Sequence, residues 1–226
     1  MLNVLDEEEG FSGFSAAVRI GFAIGARRGE VLALTWNDID FKAETVSITK
    51  SLVRVCEARK AGVPPQTVKA PKTENSNRTV TIDRATLRWL REWKREQKSE
   101  LCALGVVQVP KTPVCCSTSG RRFGGVAALA GGTLNLSSFR NQFSKFCERH
   151  QFKDSLGKRP CFHELRHTQA TYLLANGEDV ISVSARLGHA SPSITSDMYA
   201  HAMPQRDVEC AGAIGALLTK AKRKAV

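Results

Sequence analysis

His163-Glu164-Leu165-Arg166-His167, followed by the turn Leu187-Gly188-His189 and then by Tyr199, is the stretch on which this sequence turns. His163 and Arg166 are three apart, the spacing of one helix face. Gly177 and Gly188 each read as a helix end. Ser191-Pro192 places a serine cap and a first-turn proline ahead of a short helix, with Tyr199 near its end. Upstream, Gly25-Ala26-Arg27-Arg28-Gly29-Glu30 adds arginines just after a helix-breaking glycine. Guanidinium forks match phosphate oxygens bidentately. Imidazoles move protons or donate to a phosphate oxygen near neutral pH. A phenol can act as a covalent nucleophile. Together these groups suit attack by tyrosine on a phosphodiester.

The same residues spell His-Glu-x-x-His, a zinc-protease pattern, with His163 and His167 as ligands and Glu164 as base. A third ligand is then needed. The extended form of that pattern requires glycine and histidine where this chain has Ala170 and Leu173, and the spacing of Glu178 is poor. Of the two tyrosines, Tyr172 sits in an apolar helix stretch and reads as core, whereas Tyr199, beside Ser196 and Asp197, reads as accessible. Arg27 and Arg28 are adjacent, so only one of them points inward.

On these residues the chain resembles the tyrosine recombinase, or phage integrase, family. That family carries an arginine in a G-x-R-R-x-E turn, a lysine on a β-hairpin, an H-x-x-R helix, an L-G-H turn and then the tyrosine. Here Arg27, Lys72, His163 with Arg166, His189 and Tyr199 occur in that order, from about Phe14 to about His201. The resemblance implies a site-specific recombinase or integrase catalytic domain that cleaves and rejoins DNA through a 3′-phosphotyrosine. Tyr199 is then the nucleophile. Arg27, His163, Arg166 and His189 hold the phosphate, and Lys72, within Pro71-Lys72-Thr73, protonates the leaving 5′-oxygen, with Lys69 as its competitor. Arg28 becomes a surface or DNA-backbone contact, Glu30 orients the arginine or caps the next helix, and His167 is a buried structural histidine. Arginines carry the charge, so neither metal nor cofactor is expected. A type IB topoisomerase uses similar chemistry, but the L-G-H turn with a tyrosine close behind it favours the recombinase. The implied partner is double-stranded DNA, with self-association as a tetramer on paired sites.

Composition agrees with a polyanionic partner: the 226 residues carry a net charge of +11. The chain lacks a long apolar run and a signal-like start, its first residues being acidic (Asp6 to Glu9). Seven cysteines at irregular spacing suit a reducing compartment. The expected location is therefore the cytoplasm, at the nucleoid, with no membrane and no small-molecule substrate.

Periodicity predicts a mainly α fold with a small antiparallel β-sheet, in one catalytic domain whose core runs from about 14 to 201. An N-terminal core-binding domain, usual in the family, is expected to be absent. Phe14 to Leu34 reads as helix, turn, helix, with Val18, Phe22 and Ile24 on an apolar face. Glu44 to Val55 reads as one strand, and Gln66–Ala70 and Arg78–Ile82 as two more around a polar turn. Asp83 caps a helix reaching about Leu104, with Leu87, Leu90, Leu101 and Leu104 on its stripe. Val106 to Asn135 reads as an irregular insertion or mobile loop. Ser137 caps a helix burying Phe139, Phe143 and Phe146, and Asp179 to Leu187 forms a further short helix. The tail, 202–226, is apolar from Ala211 to Leu218 and then basic, suited to docking on its own domain or on a neighbouring protomer.

Overall fold

The computed structural model describes residues 1–55, 65–70, 77–118, 131–154, 156–189, 191, 193 and 195. Seven helices surround two small antiparallel sheets among them. Lys72, Tyr199 and the tail lie outside the described residues.

Helix α2 (Gly13–Ile24) is the axis of the core. Its sequence, rich in alanine and β-branched residues, is buried on nearly every side. Ser12 caps its start by accepting from the Ser15 N–H, and Gly25 ends it in the left-handed region at φ 62. Gly21 lets α6 (Phe162–Ala175) come close: a Cβ there would stand 2.3 Å from the Phe162 ring. Phe22, expected on the apolar face, is 42% exposed. Helix α1 (Leu2–Glu9) was not legible as a helix, yet it seats Leu5 fully in the core. Three of its acidic residues are matched: Asp6 pairs with Arg19, Glu8 with Arg149 and His150, and Glu9 with Arg149.

After α3 (Arg28–Ala33) come a 3₁₀ turn (Trp36–Asp38) and β1 (Ile39–Asp40). The expected strand from Glu44 to Val55 is in fact two, β2 (Thr45–Ile48) and β3 (Ser51–Arg54). Lys50 accounts for the break, because its ammonium is held by Asp38 at 2.7 Å and by the Thr35 hydroxyl at 3.1 Å. β4 (Gln66–Lys69) pairs with β3, while β5 (Arg78–Thr81) pairs with β2, in the order β1-β2-β5. The two strands expected around one turn therefore belong to different sheets.

Helix α4 (Arg84–Ala103) is capped by Asp83, whose side chain accepts from the Thr86 N–H. Its buried stripe runs through Leu87, Leu90, Trp93, Gln97 and Leu101, whereas Leu104 is exposed. The segment expected to be an irregular insertion is core over part of its length. Val114, Cys115 and Cys116 are buried there, and Trp93 donates to the Val114 carbonyl at 2.9 Å. Residues 119–130 of it are outside the described set. Helix α5 (Leu136–Arg149) buries Phe139, Phe143 and Phe146 as expected. Its cap is Asn135, which accepts from the Ser137 and Ser138 N–H groups, so Ser137 is a donor rather than the cap. Helix α7 (Val180–Leu187) closes on α6 over Ala170, Leu174, Val183 and Leu187.

Candidate active site

Three chain breaks meet at one point: the end of α2, the start of α3 and the end of α7. Gly25 turns the chain out of α2, so Arg27 becomes the extended N-cap residue of α3. Its backbone N–H and Nη1 donate to Glu30, each at 2.9 Å, and its Nη2 donates to the Gly188 carbonyl at 3.1 Å. Glu30 thus orients the arginine and caps the helix at once. Glu30 is almost wholly buried and also accepts from Arg78 Nη2 at 2.9 Å. Burial alone would raise its carboxyl; the hydrogen bond and charge of Arg78, together with Arg27, outweigh that and hold it below the usual range.

Arg166, on α6, is 2% exposed. Its Nη1 donates to the carbonyls of Gly25 at 2.8 Å and Leu187 at 2.6 Å. These are the C-terminal ends of α2 and α7, where the helix dipole favours a cation. Its Nη2 is buried with no hydrogen-bond partner among the described residues. Burial first, then the charges of Arg27 and Arg78, pull it down to about 9, so it stays charged at neutral pH.

Gly188, at φ 68, ends α7, and the His189 N–H bonds back to the Ser184 carbonyl at 3.1 Å. The His189 ring is fixed by Nδ1 against the hydroxyl of buried Thr195 at 2.7 Å, which leaves Nε2 for a ligand. Burial, followed by the positive charge of Arg166 and Arg27, lowers His189 to about 4, so its ring is neutral at pH 7. His163 is lowered by burial and then by His167 and Arg166. Ser193 donates its N–H to the Ser191 hydroxyl at 3.2 Å, in keeping with a helix start there.

Arg27, Arg28 and His163 line a cavity of about 890 Å³ whose walls add Arg54, Arg140 and Arg159. Arg28 lies in this basic wall and is lowered by burial, then by Arg140. Such a trough suits a polyanion.

The structure therefore brings Arg27, His163, Arg166 and His189 together, as expected from their order in the chain. Two expectations need correction. His167 is half-buried rather than buried, its ring edge-on to His163 with centroids 4.6 Å apart. Tyr172 is no core residue: it is 67% exposed and lines a separate cavity with Phe22, Thr168 and Gln169. Two positions past buried Ala170, it falls off the buried face of α6. Sequence reasoning missed Arg78 and Thr195. The signal for Arg78 was its place on the same face of β5 as buried Val80. Among the described residues no group of three His, Cys, Asp or Glu side chains is set to hold a metal, and no helix is long and apolar enough to cross a membrane.

Comparison with known proteins bears on the same residues. The profile of the phage integrase family matches residues 14–206. The chain belongs to the phage integrase family. A tyrosine recombinase XerC-like protein of Caldanaerobacter subterraneus subsp. tengcongensis is 31% identical over 189 residues, covering 83% of this chain and 45% of that protein. The ICEBs1 integrase of Bacillus subtilis is 30% identical over 207 residues, covering 91% and 49%. The chain thus spans about half the length of these relatives. Among solved structures, the Tn1549 transposon integrase in complex with transposon right end DNA superposes with a TM-score of 0.65 at 18% identity, over 100% of this chain and 63% of that one. The XerH site-specific recombinase, in a post-cleavage complex, gives 0.58 at 22% identity over 93% and 49%. The helix-rich fold with small antiparallel sheets is the fold of these family members.

Proposed function

We propose that this chain is the catalytic domain of a site-specific DNA recombinase or integrase, acting on double-stranded DNA in the cytoplasm. The observation that carries the reading is Arg166. It is buried and charged, bound to helix-end carbonyls rather than to a carboxylate, and has an Nη2 with no partner among the described residues, beside Arg27 and His189. A buried donor of this kind fits a phosphate oxygen.

In this reading the Tyr199 phenol attacks phosphorus and forms the new P–O bond. Arg27 and Arg166 bind the non-bridging oxygens, and neutral His163 and His189 handle the phenol proton and donate to phosphate. The bond to the 5′-oxygen breaks, with Lys72 supplying its proton. A 3′-phosphotyrosyl link and a free 5′-hydroxyl result. A 5′-hydroxyl from a partner strand then reverses the step, so the bond energy is kept and no nucleotide is consumed. Exchange between two sites implies assembly on paired DNA, as a tetramer of two copies per site. Both named relatives, a recombinase and an integrase, support the reading.

The test is trapping on a nicked suicide duplex. The parent chain is expected to give a denaturant-resistant protein–DNA adduct, Tyr199→Phe none, and Tyr172→Phe, an exposed phenol away from the cluster, the parent's yield. An adduct that survives Tyr199→Phe removes Tyr199 from the mechanism. Relaxation of supercoiled DNA without exchange between two sites would move the assignment to a topoisomerase.

A further inference from the structure

We propose that Arg78 is a positioning residue for the strand-transfer reaction, locking Arg27 and the Gly188-His189 turn into one rigid frame. The inference rests on the reading of the site as a phosphodiester-cleaving centre. Arg78 sits at the start of β5 with its side chain only 7% exposed, so it acts through its neighbours rather than on DNA.

Its guanidinium spans two elements. Nη2 donates to Glu30 Oε2 on α3 at 2.9 Å, and Nε donates to the Arg186 carbonyl in the last turn of α7, also at 2.9 Å. Glu30 in turn holds both the backbone N–H and Nη1 of Arg27. Arg27 Nη2 returns to the Gly188 carbonyl, at the end of the same α7. The contacts close a ring: Arg78, Glu30, Arg27, Gly188, the end of α7, and Arg78 again. Arg78 also fills the space behind the glycine turn, since a Cβ on Gly188 would lie 2.7 Å from its Nη1 and 3.0 Å from its Cδ. The next residue is His189. One planar fork therefore sets the height of the turn that presents the histidine and the direction of the carboxylate that aims the arginine. Lysine, a point charge without a fork, cannot make both bonds in this geometry. Groups that must meet a phosphate need placing to about half an ångström, and a misplacement of about 1 Å can cost roughly a hundredfold in rate.

The experiment uses the full chain and the suicide duplex, with single-turnover cleavage rates at saturating DNA, affinity and melting temperature measured side by side for Arg78→Lys and Arg78→Gln. Arg78→Lys keeps the charge beside Glu30 and is the variant that tests the idea should Arg78→Gln not fold. The expected result is affinity within about threefold of the parent and cleavage slowed by about a hundredfold. In an Arg27→Lys background, Arg78→Lys should slow cleavage by clearly less than it does in the parent, because one of the two groups it places is already gone and only the Gly188-His189 turn remains to be misplaced. A merely structural role predicts slowing that follows the unfolded fraction and multiplies in full with Arg27→Lys. Either that outcome, or cleavage by Arg78→Lys at the parent's rate, overturns the proposal. Failure of the parent itself to form the adduct is a different result and defeats the functional reading beneath it.

Discussion

Replacing Gly188 by alanine tests how the site is held. At φ 68 and ψ 48 the residue is in the left-handed region, where an L side chain costs about 1–2 kcal/mol. The new Cβ also meets Arg78 at 2.7 to 3.0 Å. That neighbour is no loose chain end, because its guanidinium is tied to Glu30 and to the Arg186 carbonyl. Forcing it aside adds an overpacking cost of about 1–3 kcal/mol. The sum is about 2–5 kcal/mol, or a fall in Tm of about 4–20 °C for a chain of this size. Gly177 provides the internal control. Its φ is 90, yet a Cβ there meets nothing within 4 Å, so Gly177→Ala should show the backbone cost alone, about 1–2 kcal/mol. Urea unfolding of both variants reads the difference, with equal slopes required for the comparison. Gly188→Ala is expected to be less stable than Gly177→Ala by at least about 1 kcal/mol. Equal losses would mean that Arg78 yields freely and that the turn is not braced from behind.

The basic cavity predicts a salt effect. Arg140→Ala with Arg159→Ala should weaken DNA binding and flatten the slope of log affinity against log salt by about 2 if each meets a phosphate; an unchanged slope removes this wall from the interface. His189, lowered to about 4, makes the folded chain prefer a neutral ring. The unfolded chain takes up a proton first, so this residue makes stability fall as pH drops from about 6.5 towards 4. An NMR titration placing the His189 ring near the ordinary histidine value in the free protein would contradict the geometry. Glu30 acts in the same direction lower down, its stabilisation being present above the ordinary glutamate value and lost as pH falls through its depressed one, so Glu30→Gln should narrow the acid-unfolding transition's dependence on pH.

The features legible in the sequence were those with local causes. The cap at Asp83, helix ends at Gly25 and Gly188, and the phenylalanine face of α5 depend on residues within a turn of one another. The motif residues Arg27, His163, Arg166 and His189 were legible through the family resemblance, although distant contacts such as Arg27 to Gly188 and Arg166 to Gly25 bring them together. Strand pairing was not legible, because β4 and β5 choose partners by distant contacts and because the break at Lys50 depends on Asp38. The core role of Val114 to Cys116 was hidden for the same reason: a Gly- and Ser-rich stretch gives no local sign that Trp93 and Gln97 will cover it. Tyr172 was misplaced because α6 carries apolar residues on more than one side, which blurs the period.

The bonding of Arg166 to backbone carbonyls has a consequence for charge matching. Around Glu30 stand, among the described residues, three guanidiniums, those of Arg27, Arg78 and Arg166, and one carboxylate, so these four groups together hold two positive charges in excess. A phosphodiester at rest brings one negative charge. A tyrosinate adding to it makes a five-coordinate phosphorus species with two. In the proposed reaction the arginine frame is thus neutralised by the species at the top of the barrier and only half neutralised by the bound substrate, which is the inequality that accelerates a reaction rather than merely tightening binding. Had Arg166 been buried against a second carboxylate, the fold would have been as well satisfied and that surplus would have been halved, to the single charge that a resting phosphodiester already matches.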